Sequence, residues 1–381
     1  MCDKSDTAVF GNGLCCREQN CPFRNTESST NKAVYCDDKE CVDLVSDGYG
    51  HCGNCTIQEL ADYKKCPKQS SLGDRCYYAT YYEDGSSSYG TFRQDVLHLP
   101  TGKDNHAVNL AFGCGRYQTG LLFKDPYRPS FVDGILGLGR GTYGLPSVLA
   151  NNGYKKVFAH CLGGGSGGGL LTFGEPQGIN DDEVQFTPFT PGESPLKYYV
   201  DFNDVSVGKT RLGVLNGSCA TRGALVDSGA AITRLPGRAY EAIMREIMDQ
   251  AKIPFNVTLS KEMTFTCFSG HLKKGADDAE AVNEVLPTIT LHLGGIDVEI
   301  RPSDYTLRWK PEEGLLRPCV FLMADEQCVI GVSVMRNYLV IYDMENSAAG
   351  GLGRLGWKRS YCETGRGTIV NSPEVQSDSC H

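Results

Sequence analysis

Short runs of β-prone residues separated by turn residues are the feature that most restricts the fold of this chain. These runs cover residues 76–82, 89–99, 108–112, 134–138, 156–161, 169–173, 198–207, 224–226, 288–293, 298–300, 320–323, 328–330 and 338–342. Many short strands at close spacing are typical of all-β folds. Helical periodicity is scarce and predicts one helix over residues 238–252 and a shorter one over 145–151. The pattern therefore predicts a mostly β fold with a few short helices.

The chain length of 381 residues suits two domains, each large enough to bury its own core. A turn-rich stretch at residues 189–195 lies between two strand-like runs, and we expect a lobe boundary there. The predicted organisation is a cysteine-rich segment of the first lobe, the rest of that lobe with a hairpin, a second β-lobe and a polar tail, at residues 1–76, 77–190, 191–362 and 363–381.

Cysteines are unusually frequent and unevenly placed in this chain. Ten of the 18 lie within residues 2–76, and the other eight are spread between residues 114 and 380. Such use of cysteine favours an oxidising compartment, and the clustering predicts a loop-rich segment held by disulfides. Residues 51–55 contain a histidine and two cysteines that could bind zinc, but no second cluster of matching spacing follows. We therefore expect disulfides here and no metal.

Charge and hydropathy exclude several classes of partner. The net charge is −9, with 37 basic against 46 acidic residues, which argues against nucleic acid or an anionic membrane as the main partner. No apolar run approaches the ~20 residues of a membrane-spanning helix. Sequons at Asn54, Asn216 and Asn256 fit a glycoprotein of the secretory pathway, extracellular, vacuolar or lysosomal. The polar first residues lack the pattern of a signal peptide, so we expect either a mature N-terminus or a missing true start.

The sharpest chemical signal lies at residues 224–233, where an apolar strand delivers Asp227 into a turn. Ser228 and Gly229 follow, so backbone can approach closely and its N–H groups can bond the carboxylate. Asp-Ser-Gly is also a common turn sequence, and alone it is weak support for catalysis. Seven scattered histidines include no His-Glu-x-x-His pair, which argues against a zinc protease.

Further segments give this motif a context, because they resemble the pepsin-like aspartic proteases in the same order. The matching segments are Tyr82-Glu83-Asp84-Gly85-Ser86, Phe131-Val132-Asp133-Gly134-Ile135-Leu136-Gly137-Leu138-Gly139, Asp227-Ser228-Gly229, Val329-Ile330-Gly331, Arg336-Asn337-Tyr338 and Gly356-Trp357. The resemblance covers residues 75–362 and is nearest to the cysteine-rich nepenthesin- and nucellin-like branch from plants. It implies a bilobal acid-protease fold with an incomplete N-terminal part of the first lobe.

The resemblance also implies the site and its chemistry. Asp227 would supply the catalytic carboxylate of the second lobe. Substrate-binding positions would be the flap residues Tyr82, Gly85 and Ser86, together with Ser228 and Gly229 beside the aspartate. Cys267 and Cys319 match a second-lobe disulfide of the family. Such enzymes hydrolyse peptide bonds in an extended protein or peptide substrate through a water activated by two carboxylates, without cofactor or metal. A monomer acting at acid pH is the expectation.

The first-lobe aspartate is where the sequence departs from the family pattern. No Asp-Thr-Gly or Asp-Ser-Gly occurs before Tyr82. Residues 5–10 resemble those that follow the first-lobe motif, which puts Cys2, Asp3 and Lys4 at the motif itself. A thiol cannot replace a carboxylate in this chemistry. Two hypotheses remain: the chain lacks an upstream part that carried the aspartate, or it is a catalytically inactive relative that binds or inhibits another enzyme.

A second departure follows the second-lobe motif. The family has Ser or Thr directly after the motif's glycine, with a hydroxyl that bonds the carboxylate, whereas this chain has Ala230. Loss of a hydrogen bond to a charged group costs about 1.5–3 kcal/mol. The change weakens a catalytic pair without abolishing it, and it also favours the inactive alternative.

Overall fold

The structure is a computed structural model of the 381-residue chain. It describes residues 8–9, 28–53, 59, 73–83, 85–101, 104–120, 136–163, 168–215, 218–252, 256–259, 266–271, 278–308, 315–316, 318–346, 351–360, 362 and 366–370. The chain divides into two compact units, each described by itself below. The first unit consists of Met1–Lys156 and Ser372–His381, and the second of Val157–Asn371.

The first unit is built on one six-stranded antiparallel sheet. Its strands are β1 (Ala8–Val9), β2 (Lys32–Ala33), β3 (Gly50–Cys52), β4 (Cys76–Tyr81), β5 (Ser87–Thr101) and β6 (Asp104–Thr119). The sheet order is β1-β6-β5-β4-β3, and β2 pairs with β5. The long hairpin of β5 and β6 contains the predicted runs 89–99 and 108–112. Of the predicted strand 134–138, residues 136–138 are not a strand, and the other two lie outside the described residues.

Among the described residues, helices α1 (Lys39–Ser46) and α2 (Leu145–Ala150) pack on the first unit's sheet. Helix α2 agrees with the predicted helix at residues 145–151. The eight-residue α1 was not predicted, because it is too short for a clear periodicity and is stabilised by tertiary contacts. The disulfide Cys41–Cys76 ties α1 to β4, and Cys36–Cys52 crosses beside it. Leu44 of α1 is fully buried in a core cluster with Tyr78 and Phe92.

The described residues of the second unit form four sheets. Its strands are β7 (Val157–Leu162), β8 (Gly169–Phe173), β9 (Gln185–Pro188), β10 (Tyr199–Val200), β11 (Phe202–Val207), β12 (Thr210–Arg211), β13 (Ala224–Val226), β14 (Thr233–Leu235), β15 (Asn256–Leu259), β16 (Thr266–His271), β17 (Ile289–Leu293), β18 (Asp297–Ile300), β19 (Thr306–Arg308), β20 (Leu315–Leu316), β21 (Pro318–Val320), β22 (Leu322–Ala324), β23 (Val329–Ile330), β24 (Tyr338–Asp343), β25 (Arg354–Arg359) and β26 (Arg366–Val370). Its helices are α3 (Ser218–Arg222), α4 (Gly237–Gln250), α5 (Asp278–Val285), α6 (Pro302–Tyr305) and α7 (Val332–Met335). Helix α4 agrees with the helix predicted at residues 238–252.

The strand orders in the sheets of the second unit show which segments of the chain lie side by side. They are β10-β13-β23-β14-β22, β12-β11-β17-β18, β15-β16-β21-β19 with β20 on β16, and β26-β8-β7-β24-β25-β9. Disulfides join Cys161 to Cys362, Cys219 to Cys328 and Cys267 to Cys319. Among the described residues, no helix is both long and apolar enough to cross a membrane.

The six-stranded sheet of the second unit combines early and late parts of that unit. Strand β7 pairs with β24, and β9 pairs with β25. Residues 157–188 therefore belong to the second compact unit, whereas the turn signals put the lobe boundary near residue 190. The difference arises because turn residues mark chain reversals and carry no information about which strands pair later. Strand β26 lies within the predicted polar tail and pairs in parallel with β8.

A buried carboxylate connects α6 to the ends of β24 and β25. Asp304 is 1% exposed and accepts hydrogen bonds from the Arg359 guanidinium at 2.7 Å and the Asn337 side-chain amide at 2.8 Å. The backbone N–H of Arg301 also donates to it at 3.3 Å. Buried charges persist only when they are paired and hydrogen-bonded, as here.

We predict that Asp304→Ala lowers the free energy of unfolding by about 3–5 kcal/mol, because it leaves the Arg359 charge without its carboxylate. The matched control is Arg222→Ala, which removes an ion pair to Glu193 whose side chains are 70% and 49% exposed. That change should cost less than about 1 kcal/mol. Urea unfolding of the three proteins measures both values, and equal losses would contradict the assignment.

Candidate active site

Asp227 lies at the end of a buried strand in the middle of a sheet. All three residues of β13 are buried, and β13 pairs in parallel with β23, Leu225 opposite Val329 and Val226 opposite Ile330. The Asp227 N–H continues this ladder by donating to the Ile330 carbonyl at 3.0 Å. The side chain of Asp227 therefore extends from a backbone that the sheet holds in place. The sequence pattern of a short apolar strand followed by a turn predicts this arrangement.

The Asp-Ser-Gly turn holds the carboxylate in one orientation. The Gly229 N–H donates to Asp227 Oδ1 at 2.8 Å, and the Ala230 N–H donates to the Asp227 carbonyl at 3.1 Å. Asp227 is half-buried, while Ser228 and Gly229 are exposed. The three predicted residues of this motif are thus together on one accessible turn. Such a turn can present a carboxylate to solvent in a defined position.

The loop after β23 closes on this turn from the other side. The Val332 N–H donates to the Ala230 carbonyl at 2.8 Å, and the Ser333 N–H donates to the Ala231 carbonyl at 3.2 Å. A Cβ atom on Gly331 would lie 2.5 Å from the Ala230 carbonyl oxygen and 2.8 Å from the Ile232 carbonyl oxygen. Only glycine fits where two backbones approach this closely. Gly331 is therefore part of what fixes Asp227.

Two buried hydroxyls join the same two loops. Ser333 Oγ donates to Thr233 Oγ1 at 2.9 Å and accepts the Thr233 N–H at 3.0 Å, and the Gly331 N–H donates to Thr233 Oγ1 at 3.0 Å. Both side chains have no exposed surface. Each hydroxyl is satisfied by the opposite loop, so the pair acts as a polar link inside an apolar sheet. The sequence motif ends at Thr233 and gives no sign of this role for Ser333.

The predicted flap residues lie in the first unit, in the turn that joins β4 to β5. The Tyr82 N–H donates to the Ser86 carbonyl at 2.8 Å, and the Gly85 N–H donates to the Tyr82 carbonyl at 3.0 Å. Gly85 has φ +82°, a conformation that disfavours residues with a Cβ. Ser86 is fully buried, and the half-buried Tyr82 packs against the Tyr78 cluster. The structure thus brings Tyr82, Gly85 and Ser86 together in a tight hairpin turn.

The residues at the first-lobe motif, Cys2, Asp3 and Lys4, lie outside the described residues, as do Asp84 and residues 131–135. The disulfide expected from the family resemblance is present, with the Cα atoms of Cys267 and Cys319 3.9 Å apart on paired strands. Three sulfurs of the first unit, those of Cys36, Cys41 and Cys52, lie within 4.8 Å of one another. Their engagement in the disulfides Cys36–Cys52 and Cys41–Cys76 leaves no thiolate for a metal.

An aromatic cluster that sequence reasoning missed is coupled to Asp227. Tyr342 stacks on Phe158 with ring centroids 4.4 Å apart and meets the Tyr198 ring edge-on at 4.9 Å. Burial raises the pKa of Tyr342 well above its ordinary value, and the charges of Tyr198 and Asp227 add to the rise. Its phenol therefore stays protonated. The continuous run of β-prone residues in β24 indicated a strand but did not indicate that Tyr342 lies near Asp227.

His160 completes the cluster as a buried imidazole. Its Nε2 lies 3.4 Å from the Tyr342 hydroxyl, and its Nδ1 has no hydrogen-bond partner within the described parts of the chain. Burial lowers the pKa of His160 from 6.5 to about 4. The neutral imidazole is therefore the form that fits this core, with Nε2 facing the Tyr342 hydroxyl.

Comparison with known proteins gives matches along most of the chain. A family model described as "Xylanase inhibitor N-terminal" matches residues 3–175, and one described as "Xylanase inhibitor C-terminal" matches residues 197–350. Aspartic proteinase 39 of Arabidopsis thaliana is 27% identical over 90% of this chain and 65% of that protein. Aspartic proteinase nepenthesin-1 of Nepenthes gracilis is 27% identical over 71% of this chain and 59% of that protein. This chain thus spans less than two thirds of the length of either relative.

A solved structure supports the same fold. Basic 7S globulin from soybean aligns with a TM-score of 0.63 and 19% identity, over 94% of this chain and 90% of that one. Three observations point to the same family: Asp227 follows a buried strand, Gly331 lies in the facing loop, and the sequence matches cover most of the chain. The chain belongs to the pepsin-like aspartic protease family. The family resemblance and the mostly β fold expected from the sequence are thereby confirmed.

We predict that Gly331→Ala destabilises the loop around Asp227, because the new methyl group would overlap the Ala230 carbonyl. A cost of about 1–3 kcal/mol is expected for such overpacking. Gly237→Ala is the control, since a Cβ at Gly237 would meet no atom within 4 Å. Chemical unfolding measures both, and a Gly331→Ala protein as stable as the control would contradict the close approach.

We predict that His160 makes stability depend on acid pH. Its pKa of about 4 in the folded chain lies below 6.5 in the unfolded chain, so protonation favours unfolding. The contribution is constant above pH 6.5 and lost as pH falls toward 4, by about 3 kcal/mol in total. His160→Phe should remove this slope, whereas replacing the exposed His98 should leave it. Parallel stability curves for wild type and His160→Phe between pH 6.5 and 4 would refute the prediction.

Proposed function

We propose that this protein is an aspartic endopeptidase of the secretory pathway, with Asp227 as the carboxylate supplied by its second unit. The observation that carries the proposal is the fixed turn of Asp227, bonded to the Ile330 carbonyl through its N–H and to the Gly229 N–H through Oδ1. A preorganised, accessible carboxylate is what activation of a water molecule requires. The relatives named aspartic proteinases support the same reaction.

The chemistry requires a second carboxylate that faces the first. Two carboxylates so close cannot both ionise, so one keeps a proton. The ionised one takes a proton from the attacking water, and the other donates to the carbonyl oxygen of the peptide bond. Ser228 and Gly229 would contact substrate beside Asp227, and the turn containing Tyr82, Gly85 and Ser86 would cover an extended peptide and exclude water. The substrate class is protein or peptide, bound by a monomer.

Two observations favour a second candidate, a non-catalytic binding protein on the same fold. Asp227 lies six residues before the first residue of β14. The residue six positions before the first residue of β1 is Cys2, which has a thiol and no carboxylate. Ala230 supplies no hydroxyl to the Asp227 carboxylate. The matching family models are also described by xylanase inhibition. In this alternative the turn of Asp227 keeps its geometry as part of a scaffold, and a secreted glycosidase is the partner.

The decisive experiment measures cleavage of a denatured protein substrate by the purified, oxidised chain at acid pH, with and without a statine inhibitor. We expect inhibitable cleavage that Asp227→Asn abolishes, since an amide cannot exchange the proton. The matched control is Asp249→Asn, an exposed carboxylate on helix α4. No inhibitable cleavage, together with saturable inhibition of a xylanase, would replace the endopeptidase by the binding protein.

We predict that Ala230→Ser raises peptidase activity, because it restores a hydroxyl next to the Asp227 carboxylate. A hydrogen bond to a charged group contributes about 1.5–3 kcal/mol, so an increase in kcat/KM of about tenfold or more is expected. Ala231→Ser, one residue further and exposed, is the control and should leave kcat/KM within about twofold. Equal effects of the two changes would contradict a specific role of position 230.

A further inference from the structure

The outer face of the four-stranded sheet β12-β11-β17-β18 carries polar side chains that the proposed peptidase does not use. Side chains alternate along each strand, so Val205, Val207, Leu291 and Val298 are buried on one face. The opposite face carries Asp204, Ser206, Thr290, His292, Asp297 and Glu299. Asp227 follows β13, which belongs to a different sheet. This outer face is therefore a separate surface of the second unit.

Three of these side chains form a continuous hydrogen-bonded chain. Ser206 Oγ lies 2.7 Å from His292 Nε2, and His292 Nδ1 lies 2.6 Å from Asp297 Oδ1. Strand pairing produces this arrangement, because Asp297 is directly opposite His292 and Ser206 is opposite Thr290, two residues before His292. An ionised carboxylate can only accept, so His292 Nδ1 carries a proton toward Asp297. In the neutral imidazole Nε2 is then the acceptor, and the Ser206 hydroxyl donates to it. This is the order of groups that activates a serine nucleophile.

Access and charge suit a small neutral reactant. Ser206 is half-buried, the His292 side chain is 14% exposed, and that of Asp297 is 66% exposed. Arg211 is directly opposite Ser206 on β12, with a side chain 62% exposed and its Nε bonded to Asp204. Asp204, Asp297 and Glu299 outnumber this single positive charge. The excess of negative charge disfavours anionic reactants, while the Arg211 guanidinium is the cation nearest in register to the serine.

We propose that Ser206, His292 and Asp297 form a second hydrolytic site, which acts on neutral carboxylic esters with good leaving groups. The backbone N–H groups of β11 belong to the ladders with β12 and β17, so they form no amide pair for an oxyanion. The Arg211 guanidinium takes that role. Because a single exposed cation stabilises an oxyanion less than preorganised amides, the substrates are activated esters.

The reaction proceeds in two balanced steps. Ser206 Oγ bonds to the ester carbonyl carbon while its proton moves to His292 Nε2. The carbon–oxygen bond to the leaving group then breaks, and the alcohol departs with that proton. Water next attacks the acyl-serine with His292 again as base, which releases the carboxylic acid and restores the serine. Asp297 orients the imidazole and stabilises its protonated form without itself being protonated.

The test uses the full oxidised chain at neutral pH, where a carboxylate pair is not in its working protonation state. A neutral fluorophosphonate probe is added, and peptide mass spectrometry locates the adduct. We expect labelling at Ser206, loss of the label in Ser206→Ala, and labelling at least tenfold slower in Asp297→Asn. Asp297→Glu should restore part of the rate. Ser303→Ala, which changes a half-buried serine at the start of α6, is the matched control and keeps the wild-type rate.

Hydrolysis of a neutral aryl acetate provides the second readout, and it should fall with Ser206→Ala to the level given by the unfolded chain. Unfolding curves equal to wild type exclude a folding defect in each variant. Absence of a Ser206 adduct, or equal turnover by wild type and Ser206→Ala, would overturn the proposal. Neither readout depends on peptide cleavage, so failure of the endopeptidase proposal and failure of this one are separate results.

Discussion

The parallel pairing of β13 with β23 is the constraint on which the rest of the second unit's site depends. Two strands of three and two residues cannot be stable alone, so they persist because they lie in the middle of a five-stranded sheet. The turns that follow the two strands are therefore close enough for their backbones to form hydrogen bonds. Hydrogen bonds to the carbonyls of residues 230 and 231 hold the two turns together. The bond between the hydroxyls of Thr233 and Ser333 makes the support of Asp227 rigid.

Burial of polar atoms near this support costs free energy, and the apolar core around them offsets that cost. Tyr342, whose pKa responds to the charge of Asp227, and His160 beside it bring polar atoms into the core, where burial favours their neutral forms. Stacked and edge-on contacts among Phe158, Tyr198 and Tyr342 contribute apolar burial around these atoms. This core is most stable when the imidazole of His160 is neutral.

Local patterns predicted much of this fold and less of its site. Runs of β-prone residues bounded by turns indicated β4, β5, β7 and β24, and helical periodicity indicated the long helix α4. These signals lie in residues that are close together in the sequence. Helix α1 and the grouping of β7–β9 with β24 and β25 were not predictable, since both depend on partners far along the chain. The Asp-Ser-Gly motif predicted that Asp227 follows a short apolar strand and begins a turn, which is where it lies. Ser333, Tyr342 and His160 carry no local signal, because their roles arise only when separate strands pack.

The disulfide Cys161–Cys362 joins residues 201 positions apart, near the two ends of the second unit. With this bond, nearly the whole unit is a closed covalent ring. A single cut in any loop between the two cysteines opens the ring but releases no fragment, and the strands on either side stay tethered. When a protease cuts one such loop, the unit therefore loses none of its strands, and the remaining sheets can hold the cut ends in place.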